Sequence, residues 1–425
     1  MGTRTSSAGP RMCPNCHSIV SAGESSCPQC SVSLGQRPVV HAQNEGAGGR
    51  FVNAVLARPS PFTIAIIAFC IILYLLMRMT GGLETAALVA FGAKLNSRVN
   101  AGEWWRLVTP IFLHVPGGAL PLHLLVNMYS LWNIGPYVEK LYGSSKFVVI
   151  WVVTGIAGVL ASYLCVRPGM SVGTVGRFLI KSSDNPSAGA SGALFGLVGV
   201  LIVFGIKYRR ELPEGFKRAF GTGLLPILAI NFFIGFVGSG FIDNAAHIGG
   251  LLSGVVLAVV VDYDRPGSTP FMQNLWRVLQ IAAIALVAVS FIMLSRHYAA
   301  PPSEVTVQTY LEAINGGQSA LVELINSGDS TKLEPAERAL ANAPQVSTGA
   351  NELAEQLRVL VQRATTLKGV TDSAGKTTVP EADRVTIAKE FSEWGTRFRQ
   401  WTEGEGAIFR IVLTPAKETT GKPGT

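Results

Sequence analysis

Apolar residues along this chain are gathered into blocks. Seven segments approach the roughly 20 residues that a helix needs to cross hydrocarbon. They are Phe62–Met77, Leu122–Tyr137, Phe147–Val166, Ser191–Ile206, Gly221–Gly238, Asn244–Val261 and Leu279–Leu294. Polar stretches flank them, residues 1–50 before and 301–425 after. Buried helices of a large soluble enzyme are the competing explanation. So many runs near the spanning length favour a polytopic, all-α membrane protein, because in lipid the backbone must satisfy its own hydrogen bonds. The polar start holds no early apolar run, so the first span is expected to serve as an uncleaved insertion signal.

Charge adds an orientation. The chain is 48% hydrophobic and 15% charged, with a formal net charge of +8. Arg50 and Arg58 precede the first span, and Lys140 and Lys146 lie between the second and third. Lys207, Arg209, Arg210, Lys217 and Arg218 crowd the fourth connection, and Asp262, Asp264, Arg265 and Arg277 follow the sixth span. Basic loops stay inside. This places the N-terminus in the cytoplasm and the C-terminus outside, in the plasma (inner) membrane. The opposite loops carry Lys94, Arg98, Arg106, Arg177 and Lys181, so the asymmetry is partial. The positive balance is accounted for by topology, and no nucleic-acid partner is expected.

The polar ends have patterns of their own. Cys13-Pro14-Asn15-Cys16 and Cys27-Pro28-Gln29-Cys30 form two CxxC knuckles. Four thiolates at this spacing make a tetrahedral, structural Zn²⁺ site, and the metal replaces a core too small to fold alone. Two disulfides would be the alternative, which a cytoplasmic location disfavours. All four positions are filled by cysteine, so the module is expected to be an adaptor for a cytoplasmic partner, with His17 a spare and Ser31–Arg50 a linker. At the other end, Leu353, Leu357, Leu360, Val361, Ala364 and Leu367 follow helical spacing, as do Ile387, Phe391, Trp394, Phe398 and Trp401. Two amphipathic helices there predict a small soluble domain, with Thr414–Thr425 a disordered tail. Between the first two spans, Trp104, Trp105 and Arg106 suit an element at the lipid–water interface.

The candidate chemistry lies inside the bundle. His123 and Asn127 start the second span, Ser191 the fourth, and His247 lies near the start of the sixth. Even-numbered spans run in the same direction, so these groups share a depth in the outer third of the bilayer. Polar side chains within spans are costly and face a wet interior. Gly192, Gly196 and Gly199 on one span and Gly250 and Gly254 on another allow close backbone approach. Ser191 would attack a peptide carbonyl, and His247 would carry its proton to the leaving amine. Asn127, His123 and the Ser191 backbone N–H would steady the oxyanion. No acid is obviously placed behind His247, because Asp243 lies toward the surface end, so a dyad is expected.

Gly189-Ala190-Ser191-Gly192, Ala246-His247-x-x-Gly250-x-x-x-Gly254, His123-x-x-x-Asn127, Trp105-Arg106 and Gly135-Pro136-Tyr137-Val138-Glu139 together resemble the rhomboid intramembrane serine proteases. The resemblance implies a six-helix core with an outward-opening wet cavity. It also implies cleavage of transmembrane protein substrates in the lipid bilayer, near their outer ends, after lateral admission between spans two and five. Ser191 is then nucleophile, His247 base, and His123 and Asn127 oxyanion donors. The chain divides accordingly into 1–50 (zinc-ribbon-like module and linker), 60–263 (six-span catalytic domain), 274–297 (seventh span) and 301–425 (soluble helical domain and tail). The stretch from His114 to His123 is longer than the family's and lacks an aromatic before His123, which leaves the role of His114 open. The alternatives are a catalytically inactive relative that binds and escorts membrane proteins, and a transporter, for which no internal repeat speaks.

Overall fold

A helix-rich chain organises itself by which helices can approach one another. The computed structural model describes residues 11–21, 24–34, 58–117, 121–167, 170, 173, 176–210, 212, 214–238, 242–264, 269–367, 370–371 and 377–409. The expected tail Thr414–Thr425 and most of the expected linker Ser31–Arg50 lie outside these residues. Two compact units result, Met1–Ala54 and Val55–Thr425.

The first unit is a small hairpin, β1 (Arg11–Met12) paired antiparallel with β2 (Ile19–Val20). Its core consists of Cys13, Val20, Cys27 and Leu34.

The second unit contains helices in all seven expected segments. They are α1 (Pro61–Met79), α4 (Leu122–Tyr142), α5 (Ser144–Cys165), α6 (Ser191–Lys207), α8 (Leu225–Val237), α9 (Asn244–Val260) and α10 (Pro270–Arg296). Three of them, α1, α5 and α10, are long and apolar enough to cross a membrane by length and composition, and α6, α8 and α9 are shorter apolar helices. Between α1 and α4 come α2 (Glu84–Ala90), α3 (Asn96–Asn100) and two 3₁₀ turns, Trp104–Leu107 and Thr109–Phe112. The short α7 (Glu214–Ala219) leads into α8.

Specific polar groups tie the bundle together. Glu139, 1% exposed on α4, accepts from the backbone N–H groups of Phe62 (3.0 Å) and Thr63 (2.8 Å). It thereby satisfies orphan donors at the start of α1, where helix polarity also favours a negative charge. Trp104 is exposed, as an interfacial residue would be, but Trp105 and Arg106 are buried. The Arg106 guanidinium donates to the carbonyls of Val89 (2.7 Å) and Ala93 (2.9 Å) and pairs with Glu103 (2.6 Å). It braces the α1–α4 segment from within.

Beyond α10, α11 (Glu304–Ser327), α12 (Leu333–Ala341), α13 (Thr348–Thr365) and α14 (Glu381–Glu403) form a helical module, with a hairpin of β3 (Val370–Thr371) and β4 (Thr377–Thr378). The two apolar stripes lie on α13 and α14 and meet in its core. Ser303 and Ser347 cap α11 and α13, each cap worth about 1 kcal/mol. The module does not stand apart from the bundle. Its core takes in Ala86, Val89 and Leu95 of the α1–α4 segment. Gly82 bridges Ser303, and the Phe91 and Trp105 rings meet Tyr298 and His297.

Candidate active site and cysteine cluster

Three helices meet here at backbone distance. A Cβ on Gly158 of α5 would lie 2.8 Å from the Ala246 carbonyl of α9. One on Gly199 of α6 would lie 2.6 Å from the Leu251 carbonyl. A Cβ on Gly250 or Gly254 would collide with the carbonyl of Gly192 or Gly196. Only glycine permits these contacts, and they bring the starts of α6 and α9 together.

The segment entering α6 is held as strictly. Ser187 exchanges backbone hydrogen bonds with Lys94, both 2.9 Å, and the Gly189 N–H donates to the Pro110 carbonyl at 2.9 Å. Gly189 has φ +145°, a conformation side chains rarely adopt, and a Cβ there would stand 3.0 Å from His123 Nε2. Ser191 follows as the first residue of α6.

His247 Nε2 lies 2.9 Å from Ser191 Oγ. Its ring stacks on Phe195 at 4.3 Å between centroids and 9° between planes. Phe195 lies one helical turn after Ser191, so one face of α6 presents both the hydroxyl and the plane that orients the imidazole. His247 Nδ1 is buried and has no hydrogen-bond partner among the described residues. Among the described residues, no carboxylate accepts from it.

His123 borders the same space. The Val115 N–H donates to its Nδ1 at 3.2 Å, so the neutral ring carries its proton on Nε2, the atom beside Gly189. Asn127, 5% exposed, donates one amide N–H to the His123 carbonyl at 2.7 Å, leaving its second N–H. His114 is fully buried with its ring 5.2 Å from that of His123. The structure thus gathers Ser191, His247 and His123 around one point, with Asn127 a turn below His123.

Sequence reasoning passed over Phe195, whose spacing from Ser191 was available as a signal, and set Asp243 aside as lying toward the surface end. The Asp243 side chain is half-buried. It accepts from the hydroxyls of Ser162 and Ser187, both at 2.5 Å, and from the Ala246 N–H at 3.2 Å. Burial opposes its charge. Lys181, the two hydroxyls and Lys94 together outweigh burial and hold the carboxyl below its ordinary value. Lys94 is itself 1% exposed; burial pulls its ammonium down, and Asp243 and Asp184 oppose that.

In the N-terminal unit, the two knuckles repeat one geometry. The N–H of His17 bonds the Cys13 carbonyl and that of Ser31 bonds the Cys27 carbonyl. His17 and Ser31 both have left-handed φ, 58° and 57°. One ligand atom from each of Cys13, Cys16, Cys27 and Cys30 lies within 4.8 Å of the others. Cys13 and Cys30 sulfurs are 3.6 Å apart, as are those of Cys16 and Cys27. Tetrahedral zinc thiolates stand about 3.8 Å apart, given Zn–S bonds of about 2.3 Å. The set therefore fits a metal. The Ser18 hydroxyl, beside both sulfurs, lowers the Cys16 and Cys27 thiols, whereas burial and the neighbouring sulfurs push that of Cys30 up. His17 is exposed.

The chain is similar to known proteins across this region. Residues 101–263 match the Rhomboid domain model. The chain is 36% identical to rhomboid protease GluP of Bacillus subtilis (strain 168) over 273 residues, 64% of this chain and 48% of that one. It is 32% identical to the putative rhomboid protease YdcA of the same organism over 163 residues, 38% of this chain and 70% of that protein. RHOMBOID-like protein 5 of Arabidopsis thaliana is 36% identical over 170 residues, 40% of this chain and 48% of its own. The chain thus spans about half the length of the first and third of these relatives. With several apolar helices, a matching domain and YdcA covered over most of its length, the chain is an integral membrane protein that belongs to the rhomboid family.

Proposed function

We propose that this protein is an intramembrane serine endopeptidase that works through a Ser191–His247 dyad. The 2.9 Å contact between Ser191 Oγ and His247 Nε2 carries the proposal. Ser191 Oγ attacks the scissile carbonyl carbon while its proton passes to His247 Nε2. The carbonyl oxygen becomes an oxyanion beside His123 Nε2–H, the free N–H of Asn127 and the Ser191 backbone N–H at the start of α6. As the C–N bond breaks, His247 protonates the leaving amine and an acyl-enzyme remains. Water, deprotonated by His247, then hydrolyses the ester and returns the proton to Ser191. An escort factor would need no such contact.

Substrates on this account are transmembrane helices cut near their outer ends, admitted between α4 and α8. The exposure of α8, on which Gly235 is the only buried residue, supports that route. We place the protein in the plasma (inner) membrane with residues 1–50 in the cytoplasm and 301–425 outside. The catalytic domain is 60–263, and 274–297 is an added span. The cysteine set would hold Zn²⁺ through Cys13, Cys16, Cys27 and Cys30, a structural role, and present the module to a cytoplasmic partner.

The test is cleavage of a labelled transmembrane substrate by purified protein in detergent. Wild type is expected to release product and Ser191→Ala none above background. Undiminished cleavage by Ser191→Ala would end the proposal.

A further inference from the structure

The dyad alone does not explain how a side chain from α6 and one from α9 keep a hydrogen bond. Both helices begin at the site, where ends fray most readily. Their first turns need an anchor in common.

Asp243 supplies one. Its Oδ2 accepts from Ser187, four residues before Ser191, and its Oδ1 caps the Ala246 N–H at the start of α9. Its own carbonyl accepts the His247 N–H at 3.1 Å, the bond that sets His247 one turn into α9. Oδ2 also accepts from Ser162 on α5, the third helix of the glycine-packed group. One carboxylate thus joins the approach to the nucleophile, the turn that carries the base and the helix behind both. Lys94 joins the same knot, since its backbone pairs with Ser187 on either side. The asparagine or glutamine analogue of such an anchor would be a poorer acceptor, because an ionised carboxylate takes several donors at once.

We infer that Asp243 is a positioning residue that registers Ser191 against His247 by binding Ser187, Ser162 and the α9 N-terminus through one carboxylate. It does not act as the third member of a triad, since His247 Nδ1 has no hydrogen-bond partner among the described residues. This inference rests on the dyad proposed above. It differs from it in what must be lost: alignment, with the reacting groups intact.

Alignment errors of about 1 Å can cost on the order of 100-fold in rate. Asp243→Ala should therefore lower kcat, and the rate of fluorophosphonate labelling of Ser191, by about 10- to 100-fold. KM should stay within about twofold, because substrate binding is not touched. Asp243→Asn keeps one acceptor oxygen, enough for either the Ala246 cap or the two serine hydroxyls, and should recover part of both rates. Ser187→Ala should lose about 3- to 10-fold alone and add little to Asp243→Ala, as expected of two groups in one link. These variants are measured in the full chain in detergent, with thermal unfolding recorded beside them. If Asp243→Ala does not fold, Ser187→Ala and Ser162→Ala carry the test, and wild-type rates in both overturn the inference. So do wild-type kcat and labelling in Asp243→Ala, an Asp243→Asn no better than Asp243→Ala, or fully additive losses with Ser187→Ala. A Ser191→Ala protein that still cleaves would instead overturn the dyad.

Discussion

Helices α6 and α8 are both short and apolar, yet they are held in opposite ways. α6 lies with its backbone against α5 and α9, through Gly192, Gly196 and Gly199. α8 leaves Ile227, Ile230, Phe233 and Val237 between 58% and 72% exposed. Its close polar tie is the Asn244 amide, which donates to the Gly235 carbonyl at 2.8 Å. Apolar surface gains little by leaving lipid for protein, so in a bilayer small residues and polar bonds decide which helices stay together. α6 has both; α8 has one glycine and one bond. The side bearing the dyad is therefore expected to be the more rigid, and the side proposed to admit substrate to open more readily.

The largest expected effect comes from breaking the tight side. Gly254→Leu puts a branched side chain against the Gly196 backbone and forces α6 from α9. Overpacking of this kind costs about 1–3 kcal/mol. The shift in alignment should lower cleavage by on the order of 100-fold. Thermal unfolding and initial rates read both.

Asn127 lies on α4, the other helix proposed to flank the substrate's route. Losing one oxyanion donor costs about 100- to 1,000-fold in kcat. Asn127→Ala should fall toward the low end of that range with KM little changed, in steady-state kinetics. A KM effect with kcat intact would move Asn127 from the reaction to substrate binding.

Asn244→Ala sharpens the contrast, since it cuts the polar tie of α8 and leaves the glycine contacts of α6 in place. The lost bond is worth about 1 kcal/mol. Hydrogen exchange in α8 should quicken while exchange in α6 does not change, and kcat should stay within about threefold. Equal loosening of α6 would contradict the division.

The smallest effect on cleavage should come from the N-terminal unit. Cys27→Ser removes one of the four proposed metal ligands, so the hairpin should lose its fold by hydrogen exchange of residues 11–34. Cleavage of a model substrate should stay within about twofold.

The apolar helices were legible because apolar length is a physical requirement of the bilayer and needs no partner to recognise. The grouping of the candidate site was legible in outline for a related reason. Ser191, His123 and His247 each start a helix running the same way, so a shared depth could be deduced before any contact was known. Contacts between distant segments left no such trace. Arg106 looked interfacial beside Trp104, because nothing local discloses that the Val89 and Ala93 carbonyls surround it. Asp243 looked peripheral because its partners, Ser162 and Ser187, lie far away in the chain and bear no charge. The shared core of the C-terminal module with Ala86, Val89 and Leu95 was hidden likewise, since α2 is too short to display a stripe. Phe195 was within reach, being one turn from Ser191 on the same helix face.

The most direct measurement is the site and rate of fluorophosphonate attachment, read by mass spectrometry on wild type and His247→Ala. Ser191 should carry the adduct in wild type, and its labelling should fall to background without the imidazole. An adduct on another residue, or equal labelling of Ser191 in both proteins, would contradict a hydroxyl activated by His247.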